Sequence, residues 1–238
     1  MLIKRISKPD DNNSILFINI KRKNTLNLMN KSSIILILFI TLGHINFALA
    51  DNESKGSNMD NGKIEKAAFA GGCFWCMQYP YDDLKGVVST AVGYTGGRKG
   101  NPTYEEVCTG ETGHAEAIEV SYDPSQITYA ELLNIFWRNI DPTTLNRQFS
   151  DVGTQYRTAI FYHSEEQKQL AESSKEEMER SGIYDEPIVT EITPASTFYR
   201  AEDYHQKYYE KCPVRYKMYK SGSGREQYLE NVWGTEQE

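Results

Sequence analysis

The 238-residue sequence predicts an α+β fold, a two-layer α/β sandwich of the ferredoxin-like type with long loops and an irregular C-terminal tail. Its predicted strands and helices follow the order β-α-β-β-α-β-α-β, so two strands are adjacent in the chain. Strict alternation of strand and helix would instead favour a parallel, doubly wound sheet. No GxGxxG or Walker sequence follows a predicted strand, so a dinucleotide or phosphate site has no support.

The first predicted strand runs into two glycines. It is KIEKAAFA, residues 63–70, and it leads through Gly71-Gly72 into a helix predicted from Phe74 to Leu84. Pro80 should kink or break that helix, because proline removes a backbone donor and clashes with the preceding turn. Two more strands are predicted from their β-branched and alternating residues, VVSTAVGY at 87–94 and AEAIEVSYD at 115–123.

The second half of the chain is predicted to begin with a capped helix. Thr128 and Glu131 form a capping box, and apolar residues recur at helical spacing after it. The remaining predicted elements are a strand at 156–163, a charged helix at 164–182, a strand at 188–195 and a helix at 201–211. The tail that follows is Gly/Ser-rich and polar.

The first fifty residues resemble a targeting segment. The nine residues IILILFITL (34–42) are too few to span a membrane, which takes roughly 20. Ala48-Leu49-Ala50 follows them, which is typical of a secretory signal peptide and its cleavage site. We therefore expect translation from Met29, cleavage near Ala50 and export, to a periplasm or medium, without stable membrane association once processed. Residues 1–28 are then an extended or mis-assigned start, 29–50 the signal peptide, 51–62 a polar linker, 63–235 one folded domain and 236–238 a tail.

The charge of the chain is acidic, with a net charge of −7. Residues 1–50 hold seven Lys/Arg and two Asp/Glu, so the rest of the chain has 19 basic and 31 acidic residues, a net charge of −12. An acidic surface speaks against nucleic acid or anionic lipid as a partner. We expect a monomer.

The motif CFWC, which contains Cys73 and Cys76, permits three interpretations. A zinc site would need four ligands, and no second CxxC or HxxxH is present. A thioredoxin-like dithiol at a strand-to-helix turn is the second interpretation. The third is one nucleophile, Cys73, at a helix N-terminus that lowers its pKa and leaves it accessible, with Phe74 and Trp75 as an apolar cup beside it.

Several longer motifs resemble those of the peptide methionine sulfoxide reductases of the A type. They run in order from about Lys63 to Gly234: GGCFWC, GYTGG, NPTYEEVCTGETGHAE, DVGTQYRTAI, AEDYHQKYYEK and NVWG. The resemblance implies a catalytic domain that returns methionine S-sulfoxide, free or in proteins, to methionine. It implies no metal or organic cofactor, only a dithiol reductant of the thioredoxin type.

The resemblance also implies roles for individual residues. Cys73 would attack the sulfoxide sulfur, and Glu116 would protonate the departing oxygen. Tyr104 and Tyr156 would hydrogen-bond that oxygen. Asp151 would be the acidic residue near the cysteine. Phe74 and Trp75 would hold the S-methyl group of the substrate.

The recycling step departs from the family pattern. Many members carry resolving cysteines in the C-terminal tail, and this tail has none. Cys76 and Cys212 are the two candidates for resolving the Cys73 sulfenic acid, and we favour Cys76; Cys108 is expected to be a small buried residue.

Two further positions carry expectations. Gln78 replaces the Glu that is usual in relatives, and we expect activity to survive this change. His205 is expected to be structural. The alternative functions are a thioredoxin-like disulfide oxidoreductase and a catalytically disabled redox-binding module.

Overall fold

A computed structural model of the chain describes residues 63–234. The predicted N-terminal extension, signal peptide and linker (1–62) and the last four residues (235–238) lie outside this range. None of the helices within residues 63–234 combines the length and apolarity that a membrane crossing requires.

The main sheet has six strands in the order β7-β6-β1-β3-β2-β8. Its strands are β1 (Glu65–Gly71), β2 (Val87–Thr95), β3 (Ala115–Tyr122), β6 (Thr158–Tyr162), β7 (Glu191–Pro194) and β8 (Tyr199–Arg200), and a separate two-stranded ribbon pairs β4 (Arg147–Gln148) with β5 (Asp151–Val152). The helices are α1 (Phe74–Asp82), α2 (Tyr104–Cys108), α3 (Tyr129–Trp137), α4 (Glu165–Ser181), α5 (Tyr208–Lys211), α6 (Pro213–Gly222) and α7 (Arg225–Trp233), with a 3₁₀ turn at Thr154–Tyr156.

Four antiparallel strands form the centre of the sheet and confirm the predicted α+β sandwich. In chain order the elements β1-α1-β2-β3-α3-β6 give the strand order β6-β1-β3-β2, which is the ferredoxin-like arrangement. The capping box of Thr128 and Glu131 at the start of α3 is present as predicted, and Gly182 ends α4 in the left-handed conformation.

The two faces of the sheet are covered differently. Alternate residues of β1, such as Phe69, point to the large core formed with α1, α3 and α4. The residues between them, such as Ala68 and Ala70, form a smaller alanine-rich cluster that Phe161 fills and Phe198 covers. The two-residue period of the strand thus sends alternate side chains to two different clusters, and both faces of β1 are buried.

Strand register brings three chain segments to one edge of the sheet. Phe69 pairs with Ile118, so two residues further along Gly71 lies beside Glu116 on β3. Gly71 also pairs with Thr158, the first residue of β6. The end of β1, the start of β3 and the start of β6 therefore meet where the chain enters α1.

The C-terminal part differs from the sequence prediction. The segment predicted as an irregular tail forms α6 and α7, and of the helix predicted at 201–211 only α5 is helical. Buried side chains on both C-terminal helices, Tyr216 and Arg225, explain the difference, because tertiary packing supplies most helix stability in a polar, Gly/Ser-rich segment. Helix α1 continues two residues beyond Pro80.

Candidate active site

The Gly71-Gly72 turn places Cys73 at the start of α1. Gly72 has φ +79°, and a Cβ there would lie 2.4 Å from the Gln148 side chain, so only glycine fits this close approach. Cys73 is the N-cap of α1, and the Cys76 N–H donates to its carbonyl at 3.1 Å. The two thiols therefore lie one helical turn apart on the same element.

The environment of Cys73 differs from the sequence prediction. Its side chain is buried, with 5% of its surface exposed. Burial raises the pKa of Cys73 well above its usual value, and the neighbouring Cys76 and Glu116 raise it further. The prediction of an accessible thiol of low pKa at this position is therefore wrong. Desolvation and two neighbouring groups that ionise to negative charge oppose the effect expected of a helix N-terminus.

Cys76 is the thiol of lowered pKa in this pair. A hydrogen bond with Cys73 lowers its pKa to about 7, against the opposing effect of burial, and the cations Arg225 and Lys220 lower it further. The Arg225 guanidinium is buried, and it donates to the Gly71 carbonyl at 2.8 Å and to the carbonyl of Asn139. A fixed positive charge from α7 thus lies beneath the glycine turn and favours a thiolate there.

Glu116 is a buried carboxyl group beside the thiol. It lies at the start of β3, is 2% exposed, and its Oε2 accepts the Phe74 N–H at 3.0 Å. Burial raises the pKa of Glu116 to about 8, although the Phe74 hydrogen bond opposes the shift, and the charges of Asp151 and Cys76 add to it. With this pKa the group is mostly protonated at pH 7, which suits the role of proton donor that the resemblance implies for it.

Asp151 reaches the thiol through a residue that the sequence analysis missed. The Tyr219 hydroxyl of α6 donates to Asp151 Oδ2 and lies within hydrogen-bonding range of the Cys73 thiol. Burial raises the pKa of Asp151, while Tyr219 and Arg225 oppose this. Because a hydroxyl has one proton and two lone pairs, Tyr219 can link the carboxylate to the sulfur.

Tyr104 and Tyr156 are both half-buried near Glu116. Tyr104 opens α2, where its N–H donates to Glu202 Oε1 at 3.0 Å, and Tyr156 ends the 3₁₀ turn just before β6. Burial raises the pKa of both phenols above the usual range, and the charge of Glu116 contributes in each case. Both hydroxyls therefore remain donors at neutral pH.

The two aromatic residues after Cys73 have different surroundings. Phe74 is 1% exposed and packs on Tyr94, with ring centroids 5.9 Å apart. Trp75 is partly exposed and stacks on Tyr208 at 3.9 Å, with an interplanar angle of 9°. Its indole N–H donates to His205 Nδ1 at 3.0 Å. The indole is thus held in place, with His205 as its support.

His205 is a buried, neutral imidazole. Desolvation lowers its pKa, and since Nδ1 accepts from Trp75, the proton of the ring is on Nε2. Its ring centroid lies 4.4 Å from that of Tyr104 and 5.0 Å from that of Phe74. These contacts join the aromatic wall of the site into one packed unit.

Gln78 is buried and connects α1 to the segment before α5. Its Nε2 donates to Thr90 Oγ1 at 2.9 Å, and its Oε1 accepts the Lys207 N–H at 2.7 Å. The Thr90 hydroxyl donates in turn to Asp82, so it needs a donor such as an amide at position 78. The amide acts in packing, and its two hydrogen bonds within residues 63–234 go to Thr90 and Lys207.

The other two cysteines lie in different places. Cys212 is partly buried at the junction of α5 and α6, and it packs against the cluster formed by Cys76, Tyr208 and Tyr216. Cys108 is exposed, so the expectation that it is a small buried residue is wrong. Its thiol interacts with the Tyr104 hydroxyl at the end of α2.

Tyr219 and Arg225 were missed because both lie in the polar C-terminal segment. Their positions follow from how α6 and α7 fold back over α1, and the only local signal was the spacing of Tyr216 and Tyr219, which puts them one helical turn apart. Within residues 63–234, no three or more His, Cys, Asp or Glu side chains cluster in a way that could hold a metal ion.

Comparison with known proteins gives one consistent family. A family model described as peptide methionine sulfoxide reductase matches residues 65–237. The peptide methionine sulfoxide reductase MsrA of Bacillus licheniformis is 52% identical over 172 residues, which cover 72% of this chain and 95% of that protein. The MsrA of Methanosarcina acetivorans is 60% identical over 148 residues, covering 62% and 79%.

Two solved structures are similar to about two thirds of this chain. Mxr1 from Saccharomyces cerevisiae in reduced form has a TM-score of 0.61 and 38% sequence identity, covering 65% of this chain and 88% of that one. The methionine sulfoxide reductase A of Corynebacterium diphtheriae has a TM-score of 0.58 and 39% identity, covering 66% and 78%.

Proposed function

The chain belongs to the peptide methionine sulfoxide reductase family, and from the geometry of its site we propose how this enzyme reduces methionine S-sulfoxide to methionine with thiols as electron donors. Cys73 Sγ attacks the sulfoxide sulfur. Glu116 gives its proton to the oxygen as the S–O bond breaks. The hydroxyl group passes to Cys73 Sγ, the bond between the two sulfurs breaks with its electron pair on the substrate sulfur, and the products are methionine and the Cys73 sulfenic acid. No metal or organic cofactor takes part.

The buried carboxyl group of Glu116 beside the start of α1 is the single observation that carries this mechanism. A sulfoxide oxygen leaves poorly unless it is protonated, and a carboxyl group with a pKa of about 8 keeps its proton at pH 7. The raised pKa of Cys73 is compatible with attack, because Cys73 shares a hydrogen bond with Cys76, whose lowered pKa lets it take up the Cys73 proton. Tyr104 and Tyr156 supply two hydroxyl donors for the oxygen.

Cys76 is proposed as the resolving cysteine. Its hydrogen bond with Cys73 supports this role, as does its pKa of about 7, which makes a large thiolate fraction available to attack the sulfenic acid. Attack releases water and forms a Cys73–Cys76 disulfide, which a dithiol reductant of the thioredoxin type returns to two thiols. Cys212 packs on the same cluster as Cys76 and is the alternative resolver.

Single-cysteine variants test this assignment. Cys76→Ser should form one equivalent of methionine per enzyme and then stall with thioredoxin, whereas Cys212→Ser should turn over. Mass mapping of the oxidised wild type should find the Cys73–Cys76 disulfide. Continued turnover of Cys76→Ser would refute the assignment, and stalling of Cys212→Ser would transfer it to Cys212.

We also propose that the enzyme is exported and monomeric. The A-x-A sequence ending at Ala50 and the short apolar run before it support cleavage there, with translation starting at Met29. N-terminal sequencing of the exported protein should give a chain that begins at Asp51. Retention of residues 1–28, or a dimer in light scattering, would contradict these proposals.

A further inference from the structure

Glu202 accepts hydrogen bonds from two residues of the site that belong to different elements. It lies in the segment between β8 and α5. Its Oε1 accepts the Tyr104 N–H at 3.0 Å, and its Oε2 accepts the Tyr94 hydroxyl at 2.8 Å. Neither Cys73 nor Glu116 is among its hydrogen-bond partners within residues 63–234. Glu202 can therefore influence the reaction only through the residues that it holds.

The main chain around Glu202 is fixed to β2. The Ala201 N–H donates to the Val92 carbonyl at 2.9 Å. The Gln206 side chain forms two hydrogen bonds with the main chain of Val92, accepting from its N–H and donating to its carbonyl, each at 2.9 Å. It also donates to the Ala201 carbonyl. The Glu202 carboxylate is therefore presented by a segment that is anchored on both sides.

A carboxylate is suited to accept from both donors at once. Tyr94 is 1% exposed, so its hydroxyl depends on this acceptor. Desolvation works against ionisation of Glu202, but hydrogen bonds from its own N–H, from Tyr104 and from Tyr94 outweigh it, and the pKa of Glu202 lies below its usual value. Glu202 is therefore an anion at neutral pH, with one oxygen for each donor.

The connection to Glu202 matters because α2 is only five residues long. A helix of this length is not stable by itself and depends on its contacts. Val107 is buried beneath it, and its last residue is held where Gln155 Nε2 donates to the Cys108 carbonyl at 3.1 Å. Its first residue, Tyr104, is held by the Glu202 carboxylate, which links this end of the helix to β2.

The ring of Tyr104 packs on an imidazole that also faces Glu202. The ring centroids of Tyr104 and His205 are 4.4 Å apart, and His205 Nε2 lies 4.0 Å from Glu202 Oε2. Nε2 carries the proton, since Nδ1 accepts from Trp75, and it has no hydrogen-bond partner within residues 63–234. The carboxylate thus holds the main chain of Tyr104 and attracts the N–H of the ring that supports its phenol.

We propose that Glu202 is a positioning residue, which fixes the Tyr104 phenol at the place where it donates a hydrogen bond to the sulfoxide oxygen. The inference rests on the proposed role of Tyr104 as a donor to that oxygen. A donor stabilises developing charge only when it is already aimed at the oxygen. Loss of the Glu202 carboxylate should therefore slow sulfoxide reduction although every reacting group is still present.

Two substitutions at Glu202 give a graded expectation for the first turnover, in which pre-reduced enzyme reduces saturating methionine sulfoxide. Glu202→Ala removes both acceptors, and its rate constant should fall about 10–100-fold, because misplacing a reacting group by about 1 Å has effects of this size. In Glu202→Gln the amide oxygen can still accept the Tyr104 N–H, while the NH₂ group faces the Tyr94 hydroxyl. The Gln variant should therefore react at least about threefold faster than the Ala variant.

The adjacent carboxylate supplies the matched control. The Asp203 side chain is 94% exposed and pairs with Arg200 at 3.5 Å. Asp203→Asn removes the same charge from the same segment without touching Tyr94 or Tyr104, so it should keep the wild-type rate constant. A loss in Asp203→Asn as large as that in Glu202→Ala would overturn the inference, because the effect would then belong to the charge of the segment.

The amount of methionine formed separates positioning from unfolding. Folded Glu202→Ala should still form one equivalent of methionine per enzyme, as wild type does without reductant, and only the rate constant should fall. A smaller amount formed at the wild-type rate constant would mean that part of the protein is unfolded and the remainder is unaffected. That result would overturn the positioning role.

Combining Glu202→Ala with Tyr104→Phe tests whether the effect passes through the phenol. Tyr104→Phe alone should slow the first turnover at least as much, because it removes the hydroxyl outright. If Glu202 acts through that hydroxyl, adding Glu202→Ala should cost less than about threefold more. Full multiplication of the two losses, or Glu202→Gln no faster than Glu202→Ala, overturns the inference. A wild-type rate in Tyr104→Phe overturns the proposed role of Tyr104 instead.

Discussion

Replacing Glu116 by Gln removes the acidic proton of this side chain and keeps its size and shape. Glu116 is buried at the start of β3, and Oε2 accepts the Phe74 N–H at 3.0 Å. The carboxamide oxygen of Gln can keep this hydrogen bond, so the N-terminus of α1 should stay in place. What the variant loses is a proton that can be given to the sulfoxide oxygen and a charge that forms at high pH.

The stability effect follows from the pKa of Glu116. Its folded value of about 8 compares with an ordinary value of 4.5, so the folded state holds the proton more tightly than the unfolded chain. This contribution to stability is complete below pH 4.5 and is lost as the pH rises through 8. At 1.36 kcal/mol per pKa unit, about 5 kcal/mol disappears over this window. In Glu116→Gln this loss is absent.

The kinetic effect has the same origin. A positioned general acid contributes about 10²–10⁴-fold, so the first-turnover rate of Glu116→Gln should fall by that factor. In the wild type the rate should decline as the pH rises through about 8, because the acid loses its proton. The variant should not show this decline.

Two measurements on the same pair of proteins check these expectations. Urea unfolding at pH 5, 7 and 9 gives the difference in the free energy of unfolding between wild type and Glu116→Gln. The contributions of titrating groups that both proteins share cancel in this difference. Rapid-quench measurement of methionine formed by pre-reduced enzyme gives the first-turnover rate. A first-turnover rate of Glu116→Gln within threefold of the wild-type rate would refute the role of Glu116 as the acid. A difference in the free energy of unfolding that does not change with pH would refute the raised pKa of Glu116.

Three further substitutions give specific expectations. Tyr219→Phe should slow the first turnover about tenfold without changing substrate Kd, since hydrogen bonds to charged groups contribute about 1.5–3 kcal/mol; an unchanged rate would make Tyr219 a packing residue. Arg225→Leu leaves the Gly71 carbonyl unpaired and should lower the free energy of unfolding by about 2–5 kcal/mol, and alkylation against pH should show the thiol pair titrating above its wild-type pKa. Gln78→Glu should remain within twofold of wild-type activity and lose about 1–3 kcal/mol in urea unfolding, and an inactive variant would contradict the packing role.

The fold was predictable from local patterns to a large extent. Hydrophobic alternation marked β1, β2, β3 and β6, and the capping box marked the start of α3, because these signals depend on neighbouring residues. The C-terminal helices were not predicted, since α6 and α7 lack a strong periodic pattern and are held by Tyr216 and Arg225 in the interior.

The candidate site residues were proposed from motifs, and physical reasoning on the sequence alone would not have assembled them. Cys73 could be proposed as a nucleophile from the sequence, because it follows two glycines. Without the family resemblance, Glu116 would have been interpreted as an exposed charged residue at the end of a strand. Only the antiparallel register of β1 and β3 places its carboxyl group beside the start of α1 and buries it. The pKa of a group depends on what surrounds it in space, so no local pattern reports it.

By itself the sequence determined the family and the α+β order of elements, because each is written in contiguous residues, and it led to the proposal of Cys73 as the nucleophile. The tertiary structure decided the ionisation of the site. Burial raises the pKa of Cys73, and the approach of Arg225 and Lys220 from the C-terminal helices lowers that of Cys76. Those cations lie about 150 residues away in the chain, and desolvation and charge act through space.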